Sequence, residues 1–380
     1  LKDGNVARNI SLSSADTLLY VDSLLPNKSY RFDVALVTPT SPQPTTNHIQ
    51  VKTMDTTSHN FTWQSWTFGE CGNSALYDVA IIDENNIWAV GEIYMRDSLG
   101  RCDPNAYNAI HWNGQKWELK RIPLLICGSN SFIYTAIYTV FAFSDDNIFF
   151  SDGAEIIHYN GISFKQDCSI NPLLTGKINK LWGSSSNDLY AVGNNGNIAH
   201  WDGVRWRKIE SGTTLNIYDI WGDYINDNNK HEINLVAAEH LVGPERKILT
   251  IKNNSVAELS TSNMPIGSLY GIWFKSGKKY YVAGNGIYVK NNILYANNWT
   301  PLHNGLTPYY IYSIRGSRYN DISLCGSFGE LLHFNGNTWK TFRDTPGFYN
   351  TEFIRIAIKE SIITSVGYSG SQAFLTLGKR

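Results

Sequence analysis

His200-Trp-Asp-Gly-Val-Arg-Trp206 is the final piece of the sequence pattern that decides the fold of this chain. The pattern opens with Ile178-Asn-Lys-Leu-Trp-Gly183 and continues with Asp188-Leu-Tyr-Ala-Val-Gly193. Short apolar runs between turn residues such as Ser, Asn, Asp and Gly are typical of β-strands. The Asp-Gly pair in the last piece is a hairpin turn that separates a third strand from a fourth strand headed by Trp206. The pattern therefore predicts four short consecutive strands.

The same pattern recurs along the chain. Its last piece returns as His111-Trp-Asn-Gly-Gln-Lys-Trp117, His158-Tyr-Asn-Gly-Ile-Ser-Phe164 and His333-Phe-Asn-Gly-Asn-Thr-Trp339. First strands are predicted to start at Leu76, Ile137, Ile178, Ile217, Leu269, Ile311 and Phe353. Most of these starts lie about 40 residues apart, which is the length of a four-stranded propeller blade. We therefore predict an all-β fold with a seven-bladed β-propeller over residues 60–380.

The two ends of the propeller are predicted to meet in one blade. After Phe353 only three strands fit before Arg380. The missing outer strand has a candidate in residues 60–68, where Trp66 resembles the tryptophans that head fourth strands in other blades. Pairing these segments removes two exposed sheet edges at once. Residues 60–68 are therefore the predicted closing strand of blade seven.

These repeats resemble the Trp-rich propeller repeats that are common in bacterial surface and secreted proteins. That group is distantly related to photosystem-assembly-factor propellers and to Asp-box sialidases. The resemblance spans residues 60–380 and implies the fold. It implies little about activity, because propellers support both binding and catalysis.

Residues 1–53 differ from the repeat. A strand is predicted over Thr17-Leu-Leu-Tyr-Val-Asp22, and Leu25-Pro-Asn-Lys-Ser-Tyr30 resembles the tyrosine corner of fibronectin type III domains. We therefore predict a partial fibronectin type III-like β-sandwich over 1–53, a linker over 54–59 and further domains N-terminal to Leu1. The alternative is an isolated β-hairpin packed on the propeller.

Composition excludes two classes of partner. The formal net charge is -1 and the basic residues form no stripe, so nucleic acid is not an expected partner. No run approaches the roughly 18 apolar residues that cross a bilayer.

Aromatic residues make up 13% of the chain, which favours pleated, half-buried sheets.

The repeat register separates the five cysteines into two groups. Cys325 lies inside a second strand and is predicted to be a buried free thiol. The other four lie in connections on one face, and their order favours the pairs Cys71–Cys102 and Cys127–Cys168 over the other pairings. Two disulfides imply export to an oxidising compartment, whereas five reduced thiols would indicate a cytosolic protein.

The longest insertion is predicted to lie on the ligand-binding face. It connects the second and third strands of blade one, and insertions of this kind often carry function. Its candidate binding residues are Glu92, Tyr94, Arg96, Asp97, Asp103 and Tyr107. The alternatives are a structural flap and an acidic calcium-binding loop; no other cofactor or metal is predicted.

Further candidates lie at the hub, where the first strands surround the central channel. Polar residues two positions after the strand starts include Asp78, Asp219 and Arg355. Residues four positions after them include Trp182, Trp221, Trp273 and Arg315. Exposed tryptophans would be platforms for sugar rings or anchors for a partner protein, whereas buried ones would pack blade against blade.

The sequence favours an extracellular or cell-surface, non-catalytic binding module for a protein or a glycan. One alternative is a carbohydrate-active enzyme, either a glycosidase or a lyase. A sialidase would need three arginines and a Tyr nucleophile supported by a Glu, and only Arg315 and Arg355 are placed near the hub. The other alternative is an architectural subunit of a surface assembly or filament. The histidines that precede the hairpin turns are predicted to be structural.

Overall fold

Seven four-stranded antiparallel sheets form a closed ring, which confirms the all-β, seven-bladed β-propeller. The computed structural model describes residues 21, 24–37, 42–225, 230–239, 243–261, 264, 267–291, 298–302 and 306–380. The first strand of each blade packs against the first strand of the next, and that of blade seven packs against that of blade one. We call the strands of each blade a to d, from the channel outward.

Blades one to four follow one another directly in the sequence. Blade one consists of Ala75–Asp83, Asn86–Ile93, Tyr107–Trp112 and Trp117–Lys120. Blade two consists of Thr139–Ser144, Asn147–Ser151, Ile156–Tyr159 and Phe164–Asp167. Blade three consists of Ile178–Ser185, Asp188–Gly193, Ile198–Trp201 and Trp206–Lys208. Blade four consists of Asn216–Ile225, Lys230–Ala238, Arg246–Lys252 and Ser255–Leu259.

Blades five to seven complete the ring. Blade five consists of Leu269–Lys275, Lys279–Gly284, Gly286–Lys290 and Thr300–Pro301. Blade six consists of Ile311–Arg318, Asp321–Gly326, Leu331–Phe334 and Trp339–Thr341. Blade seven consists of Thr351–Lys359, Ile362–Ser369, Gln372–Lys379 and Thr62–Phe68. Among the described residues helix is confined to three 3-10 turns, Asn171–Leu173, Asn194–Gly196 and Ser327–Gly329.

Blade seven joins the two ends of the propeller. Thr62–Phe68 pairs antiparallel with Gln372–Lys379, and Trp66 lies opposite Leu375. The Trp66 ring also packs on Trp112 and Trp117 of blade one, with ring centres 6.0 and 5.9 Å apart. The outer strand of blade seven therefore pairs with its own sheet and packs against the next blade.

The repeated histidines tie strands together within blades. The Nε2–H of each donates one hydrogen bond to the Oδ1 of the Asn or Asp that opens strand b of the same blade. The pairs are His111 with Asn86, His158 with Asn147, His200 with Asp188 and His333 with Asp321. Among the described residues no group of three or more His, Cys, Asp or Glu side chains could hold a metal ion.

Both predicted disulfides are present, between Cys71 and Cys102 and between Cys127 and Cys168. Cys325 is a buried free thiol in strand b of blade six, and burial raises its pKa to about 12. The second disulfide joins the short hairpin Leu124–Leu125 and Phe132–Ile133 to the end of blade two.

The described N-terminal residues form a two-stranded sheet of Ser29–Val37 and Pro42–Lys52, so a fibronectin-like sandwich is not seen in them. The Tyr30 hydroxyl accepts the Leu25 backbone N–H at 2.9 Å. The strand predicted over 17–22 lies outside the described residues, apart from Val21. None of the helices in the described parts of the chain has the length and apolar character of a bilayer span.

Candidate binding surface

The first strands of the propeller share an irregularity at one end. We call upper the face that carries the connections from strand d to strand a and from strand b to strand c. At this face the pairing of strands a and b shifts by one residue, for example between Leu76 and Asp78 and between Ile217 and Asp219. The same shift occurs in blades three, five, six and seven. Such a β-bulge leaves one residue unpaired and re-aims its side chain.

Tyrosine occupies this bulge position in four blades, and in blade two, which has no bulge there, Tyr138 lies at the matching place just before strand a. The five residues, which we call the tyrosine ring, are Tyr77, Tyr138, Tyr218, Tyr270 and Tyr312. Ring centres of neighbouring members are 5.0 Å apart for Tyr77 and Tyr138, 4.9 Å for Tyr218 and Tyr270, and 5.4 Å for Tyr270 and Tyr312. Tyr270 is buried and the others are half-buried. Its two contacting groups, Tyr77 with Tyr138 and Tyr218 with Tyr270 and Tyr312, lie at the upper ends of the strands that line the channel, that is, at its mouth.

Buried ion pairs close the channel beneath the tyrosine ring. Lys180 of blade three lies with its Nζ 2.6 Å from both carboxylate oxygens of Asp78 in blade one. The same carboxylate accepts the Thr139 hydroxyl and the Val140 N–H of blade two. Burial lowers the pKa of Lys180, and the Asp78 charge opposes that effect. The pair therefore links three blades.

A second ion pair repeats this arrangement. The Arg315 guanidinium of blade six donates to the Asp219 carboxylate of blade four at 2.7 and 2.8 Å. Asp219 also accepts the Ile272 N–H of blade five at 3.0 Å. Burial alone would raise the pKa of Asp219, but the charge and hydrogen bonds of Arg315 hold it below its ordinary value.

These pairs show where three of the hub candidates, Asp78, Asp219 and Arg315, lie. All three side chains are buried. A buried carboxylate is strongly destabilising unless a cation and hydrogen-bond donors satisfy it; here the next blade supplies donors and the blade after it supplies the cation. These residues therefore support the surface from below rather than contact a ligand.

Arg355 is the hub cation that no described carboxylate neutralises. Its guanidinium is half-buried and donates to the carbonyls of Ile354, Tyr312 and Tyr218, the last at 3.3 Å across the channel. The hub therefore contains three cations, Arg355, Lys180 and Arg315, and two buried aspartates, Asp78 and Asp219. The floor below the tyrosine ring is therefore net positive.

Glu92 and Tyr94 lie beside the mouth. The Glu92 carboxylate accepts the Tyr77 hydroxyl at 2.5 Å and the Tyr94 hydroxyl at 3.0 Å. Opposite them, Lys177 places its Nζ 3.1 Å from the ring centre of Tyr138. Burial, together with the positive charge of Arg355, lowers the pKa of Lys177 to about 8. Acidic, basic and aromatic groups thus meet at the mouth.

The rest of the blade-one insertion is organised by internal contacts. Asp97 pairs with Arg101 at 2.9 Å, and Arg96 donates to the Gly100 carbonyl at 2.7 Å. Asp103 pairs with Arg121, whose guanidinium also lies 4.1 Å from the centre of the Tyr107 ring. Of the six candidates in the insertion, the structure thus brings Glu92 and Tyr94 to the tyrosine ring and holds the other four in a flap that the Cys71–Cys102 disulfide anchors.

The hub tryptophans distinguish between the two interpretations that the sequence left open. Trp273 and Trp182 are 0% and 5% exposed, so neither can be a platform for a ligand. Their rings pack on Gly316 and Gly222 of the next blades, where a Cβ atom would lie 2.5 and 2.2 Å from the indole. Trp221 is half-buried and its Nε1 donates to the Phe274 carbonyl. The tryptophans therefore pack blade against blade, as one of these two interpretations had it.

The tyrosine ring was not predicted from the sequence, although a signal for it exists. Aligning the blades on their strand starts places Tyr one position later in five of them. In a regular strand, the residue that follows a buried strand start would face the neighbouring blade. The tyrosine position can therefore be recognised as part of the mouth only where a bulge is seen.

Comparison with solved structures supports the fold. No protein-family model and no curated protein sequence matches the chain. The solved structure of YCF48 bound to D1 peptide has a TM-score of 0.59 at 16% identity and covers 86% of this chain and 99% of its own. Virginiamycin B lyase from Staphylococcus aureus has a TM-score of 0.55 at 12% identity, covering 84% of this chain and 100% of its own. The WD40 propeller domain of Doa1 has a TM-score of 0.55 at 11% identity, covering 84% and 98%. At these identities the likeness extends to the fold alone.

Proposed function

We propose that this protein is a non-catalytic binding module that recognises a segment of a partner protein on its upper face. The observation that carries the proposal is the tyrosine ring, four of whose five members lie at β-bulges, above a mouth that buried ion pairs close. Tyrosine supplies a large, rigid and amphipathic contact area at a low entropic cost, and it is enriched at binding hot spots.

Binding is favoured over catalysis by how the carboxylates are engaged. The two hub aspartates are ion-paired, and the Glu92 carboxylate accepts two tyrosine hydroxyls. A glycosidase uses a pair of carboxyl groups that flank the scissile bond. The Tyr77–Glu92 pair resembles the nucleophile and supporting Glu of a sialidase. A sialidase also needs three arginines, and of the two described at the hub, Arg315 is buried beneath the mouth. The carbohydrate-active enzyme is therefore the weaker alternative.

A protein ligand is favoured over a glycan. YCF48, a propeller of the same fold, has been solved bound to D1 peptide. Glycan binding remains the second candidate, because half-buried tyrosine rings are also suitable for stacking on sugars. An architectural role in a surface assembly would use the outer rims of the blades instead.

Two disulfides support a location in an oxidising environment, outside the cell or at its surface. Within the chain we propose a partial fibronectin type III-like module over 1–53, a linker over 54–59 and the propeller over 60–380. The Tyr30–Leu25 hydrogen bond supports the first assignment. The linker is held on blade six, where Asn320 donates to the Asp55 carbonyl and Thr57 donates to the Asn335 carbonyl.

The test is a selection of a random linear-peptide phage library on the full chain, run in parallel with a glycan array. Binders should lose affinity for the Tyr138→Ala variant and keep it for Tyr319→Ala, a matched change of an exposed tyrosine on the opposite, lower face. Binders that are insensitive to Tyr138→Ala but lost with Tyr319→Ala would overturn the proposal. Selective glycan binding at the mouth without peptide binding would favour the second candidate.

A further inference from the structure

One exposed aromatic residue of the upper face has an unfavourable backbone conformation. Phe328 lies in the middle of the turn Ser327–Gly329 with φ of +56° and is 55% exposed. The equivalent turn of blade three, Asn194–Gly196, has Asn195 at φ +58°. Asn is among the residues that adopt this left-handed conformation most readily, whereas for a bulky side chain it is rare. Such outliers at exposed positions point to a role other than stability.

Three further side chains surround Phe328. The Tyr309 ring lies 5.2 Å from the Phe328 ring, and Arg343 Nε donates to the Phe328 carbonyl at 3.2 Å. The Arg343 guanidinium lies 4.6 Å from the centre of the Tyr309 ring and 4.8 Å from that of Tyr349. Tyr349 is 64% exposed. We call Tyr309, Phe328, Arg343 and Tyr349 the rim patch.

The rim patch is continuous with the tyrosine ring. The Ser327 hydroxyl donates to the Tyr312 hydroxyl at 2.8 Å, and the Phe328 N–H donates to Glu352 at 3.3 Å. All of these groups lie in or next to upper-face connections of blades six and seven. A ligand that covers the mouth can therefore extend onto the rim patch.

Arg343 gives the rim patch its charge preference. No described carboxylate pairs with its two terminal nitrogens. The neighbouring Glu330 carboxylate is occupied by the hydroxyls of Thr307 and Thr341. A guanidinium that lies over aromatic rings keeps its edge available for two parallel hydrogen bonds, a geometry that suits a carboxylate.

We propose that the rim patch binds an acidic side chain, Asp or Glu, that is adjacent to an apolar residue in an extended segment of the partner protein. The carboxylate pairs with Arg343, and the apolar side chain packs on Phe328 and Tyr349. The inference rests on the proposed function, that the upper face binds protein. An extended peptide is favoured over a carboxylated sugar because Phe328 and Tyr349 offer apolar area next to the cation.

The test uses peptides selected from the random phage library on the full chain. Each selected peptide is measured against the wild type, Arg343→Gln and Phe328→Asn, and is also remade with its acidic residues changed to Asn or Gln. We expect selected peptides to contain an Asp or Glu next to an apolar residue, and Arg343→Gln to weaken binding at least about tenfold. The combined change of protein and peptide should weaken binding no more than either change alone, because both remove the same ion pair.

Matched controls come from the lower face, where Lys278 lies 5.3 Å from the centre of the Tyr319 ring. Lys278→Gln and Tyr319→Ala should leave binding unchanged, and Phe328→Asn should melt no lower than the wild type. Peptides that lack acidic residues, or that bind Arg343→Gln as tightly as the wild type, would overturn the inference. If such peptides still respond to Tyr138→Ala, the proposed function stands and only the rim-patch inference fails. If nothing is selected, or only carboxylated glycans bind, both fail.

Discussion

Removing Arg315 is the sharpest test of how the hub is held together. In the wild type its guanidinium donates two hydrogen bonds to Asp219, and both side chains are almost fully buried. Arg315→Met leaves the carboxylate with the Ile272 N–H as its described donor. Breaking a buried pair by removing one partner typically destabilises a protein by about 3–5 kcal/mol, because a buried charge is left unpaired.

A second argument limits the size of this loss. Asp219 of the variant can take up a proton instead of remaining a buried anion. Protonating a carboxyl group of ordinary pKa near 3.9 at pH 7 costs about 4 kcal/mol, since each pH unit corresponds to about 1.4 kcal/mol. The nearby charges of Arg355 and Lys180 favour the anion and reduce the loss. We therefore expect a loss of about 3–4 kcal/mol at pH 7.

The pH dependence has opposite signs in the two proteins. In the wild type the pKa of Asp219 is lowered, so its contribution to stability is present above about pH 4 and is lost as the pH falls through the lowered pKa. In the variant we expect burial without Arg315 to raise the native pKa of Asp219 far enough that the folded protein holds this proton across the range tested. The destabilisation relative to the wild type should therefore shrink by about 1.4 kcal/mol for each unit from pH 7 down towards pH 5.

The assay is urea unfolding followed by tryptophan fluorescence at pH 7 and pH 5, with the free energy of unfolding extrapolated to water. The control is the double variant Asp219→Asn with Arg315→Met, which removes both charges and should recover most of the loss. A loss below about 1 kcal/mol at pH 7, or one that is as large at pH 5 as at pH 7, would refute the reasoning.

Four further predictions concern the closure, the thiols, the rim patch and the chemistry. Deleting residues 1–53 should leave a propeller that melts cooperatively, whereas deleting 1–68 should not, because the latter removes the outer strand of blade seven; calorimetry of both fragments distinguishes them. Thiol titration of the denatured, non-reduced protein should count one thiol, that of Cys325, and a count of five would remove the argument for export. Phe328→Asn should raise the free energy of unfolding by up to about 1 kcal/mol, since it relieves a left-handed conformation; a lower melting temperature contradicts this. Sialosides and aryl glycosides should not be hydrolysed, and turnover that Glu92→Gln abolishes would show the opposite.

Much of the fold could be predicted because its signals are local and repeated. The Asn-Gly and Asp-Gly turns before Trp117 and Trp206 mark the same hairpin in different blades, so each copy supports the interpretation of the others. The register also separated Cys325, inside a strand, from the cysteines in connections. In the site, the same register predicted Glu92 and Tyr94 on the ligand-binding face, but it did not identify the tyrosine ring.

The sequence by itself determined the number of blades and where they start, because strand alternation and turn residues act over a few neighbouring positions, and it favoured the disulfide pairs found. Only the tertiary structure decided which hub residues face a ligand. Lys180 pairs with Asp78, which lies 102 residues earlier in the chain, and Arg315 pairs with Asp219, which lies 96 residues earlier. Both pairs cross a channel that exists only once the ring has closed. The bulges at four of the five tyrosines depend in the same way on the pairing of strands a and b, which a single strand's sequence does not reveal.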